Sequence, residues 1–172
     1  MSIKNNKSLI FSYLYLILLA FLAAIIYLIY RDSSILLNQL FLPFGIETAL
    51  EKQLIQDLLP LPNWIIYSLP GGIWVYVTTI IARKNERIEY KFTRGITLVP
   101  SIYAVVLEFL QFFHFTDGTF DWVDLLIIFV AAFAAKGSNK LELSLKNYPN
   151  FHNLALLSAF LVLFLSDVYR MY

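Results

Sequence analysis

Hydrophobic residues in this chain run in long blocks separated by short polar segments. Leu9 to Tyr30 carries no charged residue, and neither does Asn63 to Ala82, which is preceded by Pro60 and Pro62 and closed by Arg83 and Lys84. A third block, Gly95 to Phe115, holds one carboxylate, Glu108. A fourth opens at Asp121 and stays apolar to Ala135, and a fifth covers Phe151 to Tyr169. A helix needs about 20 apolar residues to cross a hydrocarbon core of ~30 Å. Lipid offers backbone groups no hydrogen-bond partner, so such a block must satisfy itself as a helix. The pattern predicts an all-α integral membrane bundle of five transmembrane helices, spans 9–30, 63–82, 95–115, 121–135 and 151–169, in a single membrane domain over 1–172.

The segment 35–59 has a different period. Ile46, Leu50, Leu54 and Leu58 recur every four residues, with Glu47, Glu51, Lys52 and Asp57 on other faces. This predicts a short outer amphipathic helix, with Pro43-Phe44-Gly45 before it as a bend. It either lies on the outer leaflet or caps the bundle as a lid.

Composition sharpens the class. The 172 residues are 59% hydrophobic and 15% charged, with no cysteine and a net charge of +1. Soluble domains are about 25% charged, so little polar surface is on offer to water. The absence of cysteine excludes a disulfide scaffold and thiolate metal ligation. A net charge near zero gives no electrostatic case for nucleic acid. The partner implied is the lipid bilayer, with a membrane-protein partner or a homo-oligomer as further candidates.

Charge also orders the blocks. Lys4 and Lys7 precede the first span, Arg83, Lys84, Arg87, Lys91 and Arg94 crowd the second connection, and Lys136, Lys140 and Lys146 fill the last. These segments hold ten of the thirteen basic residues, and alternate placement puts them all on one side. The positive-inside tendency then predicts a bacterial cytoplasmic (inner) membrane protein with its N-terminus in the cytoplasm and its C-terminus outside. Lys4 and Lys7 before an apolar run also fit a secretory signal, whose apolar region is only 7–15 residues long. Here the run continues through Ile25-Ile26-Tyr27-Leu28-Ile29-Tyr30, which predicts a retained helix. Trp64 and Trp122 fall at outer span ends, the depth at which an amphipathic ring anchors.

Candidate chemistry is concentrated in one hairpin. A charge at mid-bilayer costs ~3 kcal/mol even on insertion scales, so a carboxylate inside a span is a functional candidate by default. Glu108 is that residue, with Gln111 three positions on and His114 three further, a spacing that lines one helix face. A short turn, Thr116-Asp117-Gly118-Thr119-Phe120, leads to Asp121 and Asp124, again three apart. Glu108 is the candidate catalytic acid/base, and Gln111, Asp121, Asp124 and His114 are the candidate binding residues. The bland readings stand beside these: Asp121 as a helix cap, Glu108 as a packing acid, His114 as an interfacial ring. No zinc spacing is present and no cofactor is called for; the carboxylates would suit Mg²⁺ or Ca²⁺ if any metal binds. A second feature, Ser68-Leu69-Pro70-Gly71-Gly72 within the second block, predicts either a broken helix exposing its backbone or a kink with tight helix packing.

The hairpin Leu107-Glu108-Phe109-Leu110-Gln111 with Thr119-Phe120-Asp121-Trp122-Val123-Asp124-Leu125 resembles the signature of VanZ-like membrane proteins. That signature is an E-x-x-Q pair, an Arg-led turn and a D-x-x-x-N-x-x-G helix. Glu108, Gln111 and Asp124 match, while Gly118, Ile128 and Ala131 stand where the Arg, Asn and Gly are expected. The resemblance covers about residues 100–135 and implies a cell-envelope membrane protein of a family associated with glycopeptide resistance. Three functions are compatible with the residues: a binder of a lipid or glycan headgroup or a cation, a small-solute or ion carrier or accessory subunit, and a scaffold whose acids pair internally.

Overall fold

The computed structural model describes residues 3–31, 49–86, 95–116 and 118–138. The fifth span, 151–169, and Ile46 of the amphipathic segment lie outside the described residues. Every regular element among the described residues is helical: α1 Ile3–Tyr30, α2 Ala49–Leu58, α3 Asn63–Tyr67, α4 Leu69–Glu86, a 3-10 turn Ile96–Leu98, α5 Val99–Phe112 and α6 Trp122–Gly137. The all-α expectation holds for these residues.

Helix α1 starts six residues before the first apolar block, because Lys4-Asn5-Asn6-Lys7 contains no residue that breaks a helix. The second block is divided. The ladder crosses Ser68 through Ser68 N–H donating to Trp64 C=O at 3.1 Å and Gly72 N–H donating to Ser68 C=O at 3.1 Å. Pro70 has no N–H to give Ile66, which separates α3 from α4 at that point.

Helix α4 is the centre of the bundle. Val77, Thr78, Thr79 and Ile80 are consecutive and all buried, so the helix is covered on every side there. Helices α1, α5 and α6 and the 3-10 turn pack around it. Ser68, Gly72, Val75, Thr79 and Ala82, spaced by four and three, form a buried stripe of small residues along it. Small residues let helix axes approach closely, and at Gly72 an added Cβ would collide with Ile127 Cγ2 of α6. A second face of α4 carries Val77 and Ile80 into a cluster with Leu16 of α1 and Ala135 of α6.

The two ends of the bundle are held by arginines. Beyond the C-terminus of α4's apolar run, Arg83 donates to the carbonyls of Ala135, Lys136 and Ser138 at 2.9, 2.7 and 2.8 Å. Those carbonyls lie in and just past the last turn of α6, where an α-helix runs short of its own donors, and a cation there also complements the helix dipole. At the other end, Arg31 lies 4.8 Å from the Tyr27 ring and 5.2 Å from the Tyr67 ring. α1 therefore runs antiparallel to α4, and α4 and α6 run parallel.

Among the described residues, the outward faces of α1, α5 and α6 are largely apolar. Phe11, Ile17, Leu18 and Phe21 of α1, Ile102 and Phe109 of α5, and Leu126, Phe129 and Phe133 of α6 are exposed, while Ser12, Ser68, Thr78, Thr79, Thr97 and Glu108 are buried. Two helical segments, Phe11–Tyr30 and Asn63–Arg83, are long and apolar enough to cross a membrane by length and composition. Val99–Phe112 is apolar but shorter, because the helix that was expected to run from Gly95 to Phe115 gives way at both ends to tighter turns.

The close contact at Gly72 has a built-in control. Gly71 has nothing within 4 Å of an added Cβ. Gly72→Ala overpacks the α4–α6 contact and is expected to destabilise by about 1–2 kcal/mol. Gly71→Ala gains helix propensity, up to about 1 kcal/mol. SDS-titration unfolding of the purified chain reads both, and equal effects of the two substitutions would refute the contact.

Candidate functional site

The hairpin between α5 and α6 carries the singled-out residues, and its geometry follows from how each helix ends. Pro100 lies in the first turn of α5, where a missing N–H removes no helical bond. At the other end, Phe115 N–H donates to Leu110 C=O at 2.8 Å and His114 N–H to Gln111 C=O at 3.0 Å. This pair of bonds is a Schellman motif with His114 at its left-handed position, φ 60°. Glycine is the usual occupant there. The exposed His114 ring places Nδ1 3.1 Å from the Phe112 carbonyl oxygen.

Helix α6 opens on a cap. The Asp121 carboxylate accepts from Val123 N–H at 2.9 Å, and Asp124 falls in the first turn, where negative charge is favoured by the dipole. Between the helices, Gly118 has φ +122°, and a Cβ there would lie 2.7 Å from Gln111 Nε2. Gln111 thus folds over bare backbone. Aromatic rings close the turn edge to face: Phe112 on Phe120 at 5.2 Å and Phe120 on Trp122 at 5.0 Å.

Glu108 is 8% exposed, and among the described residues it is the one buried acidic or basic side chain. Its helix packs on both α4 and α6. Gln111, on the same helix face, is half-buried, and so is Asp124 across the hairpin. Neither Glu108 nor Asp124 stands without a partner. Thr116 Oγ1, in the turn, is inaccessible and makes no hydrogen bond among the described residues.

The helical spacing that joined His114 to Glu108 and Gln111 does not extend that far, because α5 ends at Phe112 and the chain reverses. Asp121 likewise lies outside the helical screw, exposed and engaged as a cap. Glu108, Gln111 and Asp124 remain as the covered polar set of the hairpin. The expected spacing did not reveal Gly118 as the seat of Gln111. Its signal was the Asp117-Gly118 pair, read only as a turn. Among the described residues no three His, Asp or Glu side chains gather as a metal site. In Ser68-Leu69-Pro70-Gly71-Gly72, Gly72 is occupied by its contact with α6, which is the tight-packing alternative.

Compared with known proteins, the chain matches no family model, no curated protein and no solved structure.

The left-handed position identifies what His114 does for the fold. An L-residue there is strained by about 1–2 kcal/mol relative to glycine. His114→Gly should raise stability by about 1 kcal/mol, and His114→Val should lower it, in heat-induced unfolding. A loss of stability in His114→Gly would show that the ring, rather than the backbone, matters at this position.

Proposed function

We propose that this chain is a multi-pass membrane protein whose α5–α6 hairpin holds the polar headgroup of a lipid or glycolipid at Glu108, Gln111 and Asp124. The observation that carries the reading is the apolar outward face of the described helices. Soluble monomers rarely expose contiguous apolar patches beyond a few hundred Å², yet here Phe133, Phe11 and Phe129 point outward while Glu108 is buried. A chain solvated by lipid has this arrangement for a simple reason. Its outward side chains meet hydrocarbon, and its polar groups must find partners inside.

The charge distribution supports an orientation. Arg83, Lys84 and Lys136 lie at the end of the bundle where α1 begins with Lys4 and Lys7, and Asp57, Asp121 and Asp124 lie at the other. The first end is the cytoplasmic one by the positive-inside tendency. That orients the hairpin toward the outer leaflet of a bacterial inner membrane. The E-x-x-Q and Asp124 positions shared with VanZ-like proteins agree with an envelope role.

The acceptor set defines the ligand chemistry. Two carboxyl groups and an amide oxygen accept hydrogen bonds, and a carboxylate attracts positive charge. A matching headgroup brings N–H or O–H donors. Phosphatidylethanolamine has three on its ammonium, whereas phosphatidylcholine has none.

Native mass spectrometry of the detergent-solubilised chain with equimolar phosphatidylethanolamine and phosphatidylcholine tests this. The unaltered chain should retain the ethanolamine lipid preferentially. Glu108→Gln should weaken that preference about tenfold or more, the worth of one charge-assisted bond at about 1.5–3 kcal/mol. Asp121→Asn, which still caps α6, should leave it unchanged. Equal retention of the two lipids by the unaltered chain would sink the proposal.

A further inference from the structure

The helix α2 presents its apolar side away from the protein. Gln56 Nε2 donates to the Ile29 carbonyl of α1 at 2.8 Å, and Lys52, one turn earlier on the same side, is half-buried. Leu54 and Leu58 lie on the opposite side, and Leu58 is 76% exposed. An amphipathic helix on a water-soluble body does the reverse, turning its apolar stripe to the core. Gln53 and Asp57 are exposed along the border between the two sides.

Two tethers fix where this helix sits. Tyr30 Oη, at the end of α1, donates to the Leu59 carbonyl at 2.6 Å, and Pro60-Leu61-Pro62 leads at once into α3. Both attachments are at the bundle end that carries Trp64 and Tyr67, whose exposed rings are the type that gathers at headgroup depth. The α1 surface two turns before Ile29 is itself apolar, with Phe21 and Leu22 exposed. A ten-residue helix is ~15 Å long, half of what a span requires.

We infer that α2 is an interfacial helix: it lies along the headgroup–acyl boundary of the bilayer, its polar side on the end of α1 and Leu54 and Leu58 inserted among the lipid chains. The inference rests on the membrane reading above and deepens it by assigning this surface to the bilayer. A lid closed over the bundle would turn Leu54 and Leu58 inward. The structure has them outward, with the amide of Gln56 against the bundle. Gln53 and Asp57 face headgroups and water in this placement, and α2 ties the end of α1 to the start of α3 at a single depth.

The chain has no cysteine, so an introduced one is a unique labelling site. Nitroxide-labelled Leu54→Cys, Leu58→Cys, Gln53→Cys and Asp57→Cys, reconstituted in phosphatidylethanolamine–phosphatidylglycerol vesicles, report collision with oxygen and with a water-soluble nickel chelate. Positions 54 and 58 should favour oxygen several-fold over positions 53 and 57, which should favour nickel. Phe21→Cys on α1 reports the membrane reading by itself. Oxygen preference at 21 with nickel preference at 58 overturns the placement of α2 alone, and nickel preference at 21 overturns the membrane reading. Shielding of 54 and 58 from both reagents places them under a protein partner or a second copy, and also overturns the inference.

Discussion

The close approach of α4 to α6 is the constraint on which the rest of this bundle depends. A helix covered on all sides can have neighbours only as near as its side chains permit, and on α4 the stripe Ser68-Gly72-Val75-Thr79-Ala82 keeps those side chains short. Gly72 gives Ile127 room that any larger residue would occupy. In the proposed bilayer setting, burying a leucine would offer little, since lipid is as apolar as the interior. Packing at close range then has to hold the helices, and close range requires small residues. Beside the stripe, Thr78 Oγ1 donates to the Trp74 carbonyl at 2.6 Å, whereas the Ser68 and Thr79 hydroxyls within it are buried and make no hydrogen bond among the described residues.

That central contact sets what the ends must do. With α4 and α6 parallel and in close contact, the C-terminal carbonyls of α6 fall within reach of Arg83, and Ser138 Oγ comes within 3.0 Å of Tyr76 Oη. A guanidinium suits this place because its planar array of donors can satisfy several carbonyls at once, which a lysine ammonium does less well. At the opposite end Arg31 lies over the faces of Tyr27 and Tyr67, whose rings attract a cation, and donates to the Tyr27 hydroxyl at 3.2 Å. One end thus joins helices through backbone acceptors and the other through aromatic rings. The helix α2 is attached to the aromatic end through carbonyl oxygens of its neighbours and of its own terminus.

Much of the helix content was legible in the block pattern because block length, charge and proline are strictly local properties. Leu9 to Tyr30 had no alternative to a helix, and Pro70 located the break in the second block. What escaped were features that depend on how a helix ends or which way it faces. His114 was grouped with Glu108 by counting in threes, and such counting assumes a helix that continues; the Schellman reversal after Phe112 ends it. No glycine stands there to announce the reversal. Gly118 read as turn chemistry, although its lack of a side chain also serves Gln111. The four-residue repeat of α2 identified an apolar stripe, but a stripe has no direction until the solvent is known. Gln56 on the Ile29 carbonyl supplies the direction.

Glu108 differs from the buried hydroxyls in one physical respect. A serine or threonine inside a helix can return its proton to a carbonyl one turn back, as Thr78 does. A glutamate on α5 has no such local outlet. As a carboxylate it needs donors brought by another element or by a ligand, and as a neutral acid it offers one donor and seeks one. Either state requires groups from outside its own helix. On the same face of α5 lies Gln111, whose amide packs on Gly118, and half-buried Asp124 opens α6 across the hairpin. Glu108 and Asp124 both have partners within the protein, so the fold itself answers that requirement, and the proposed headgroup would have to add to those partners or displace them.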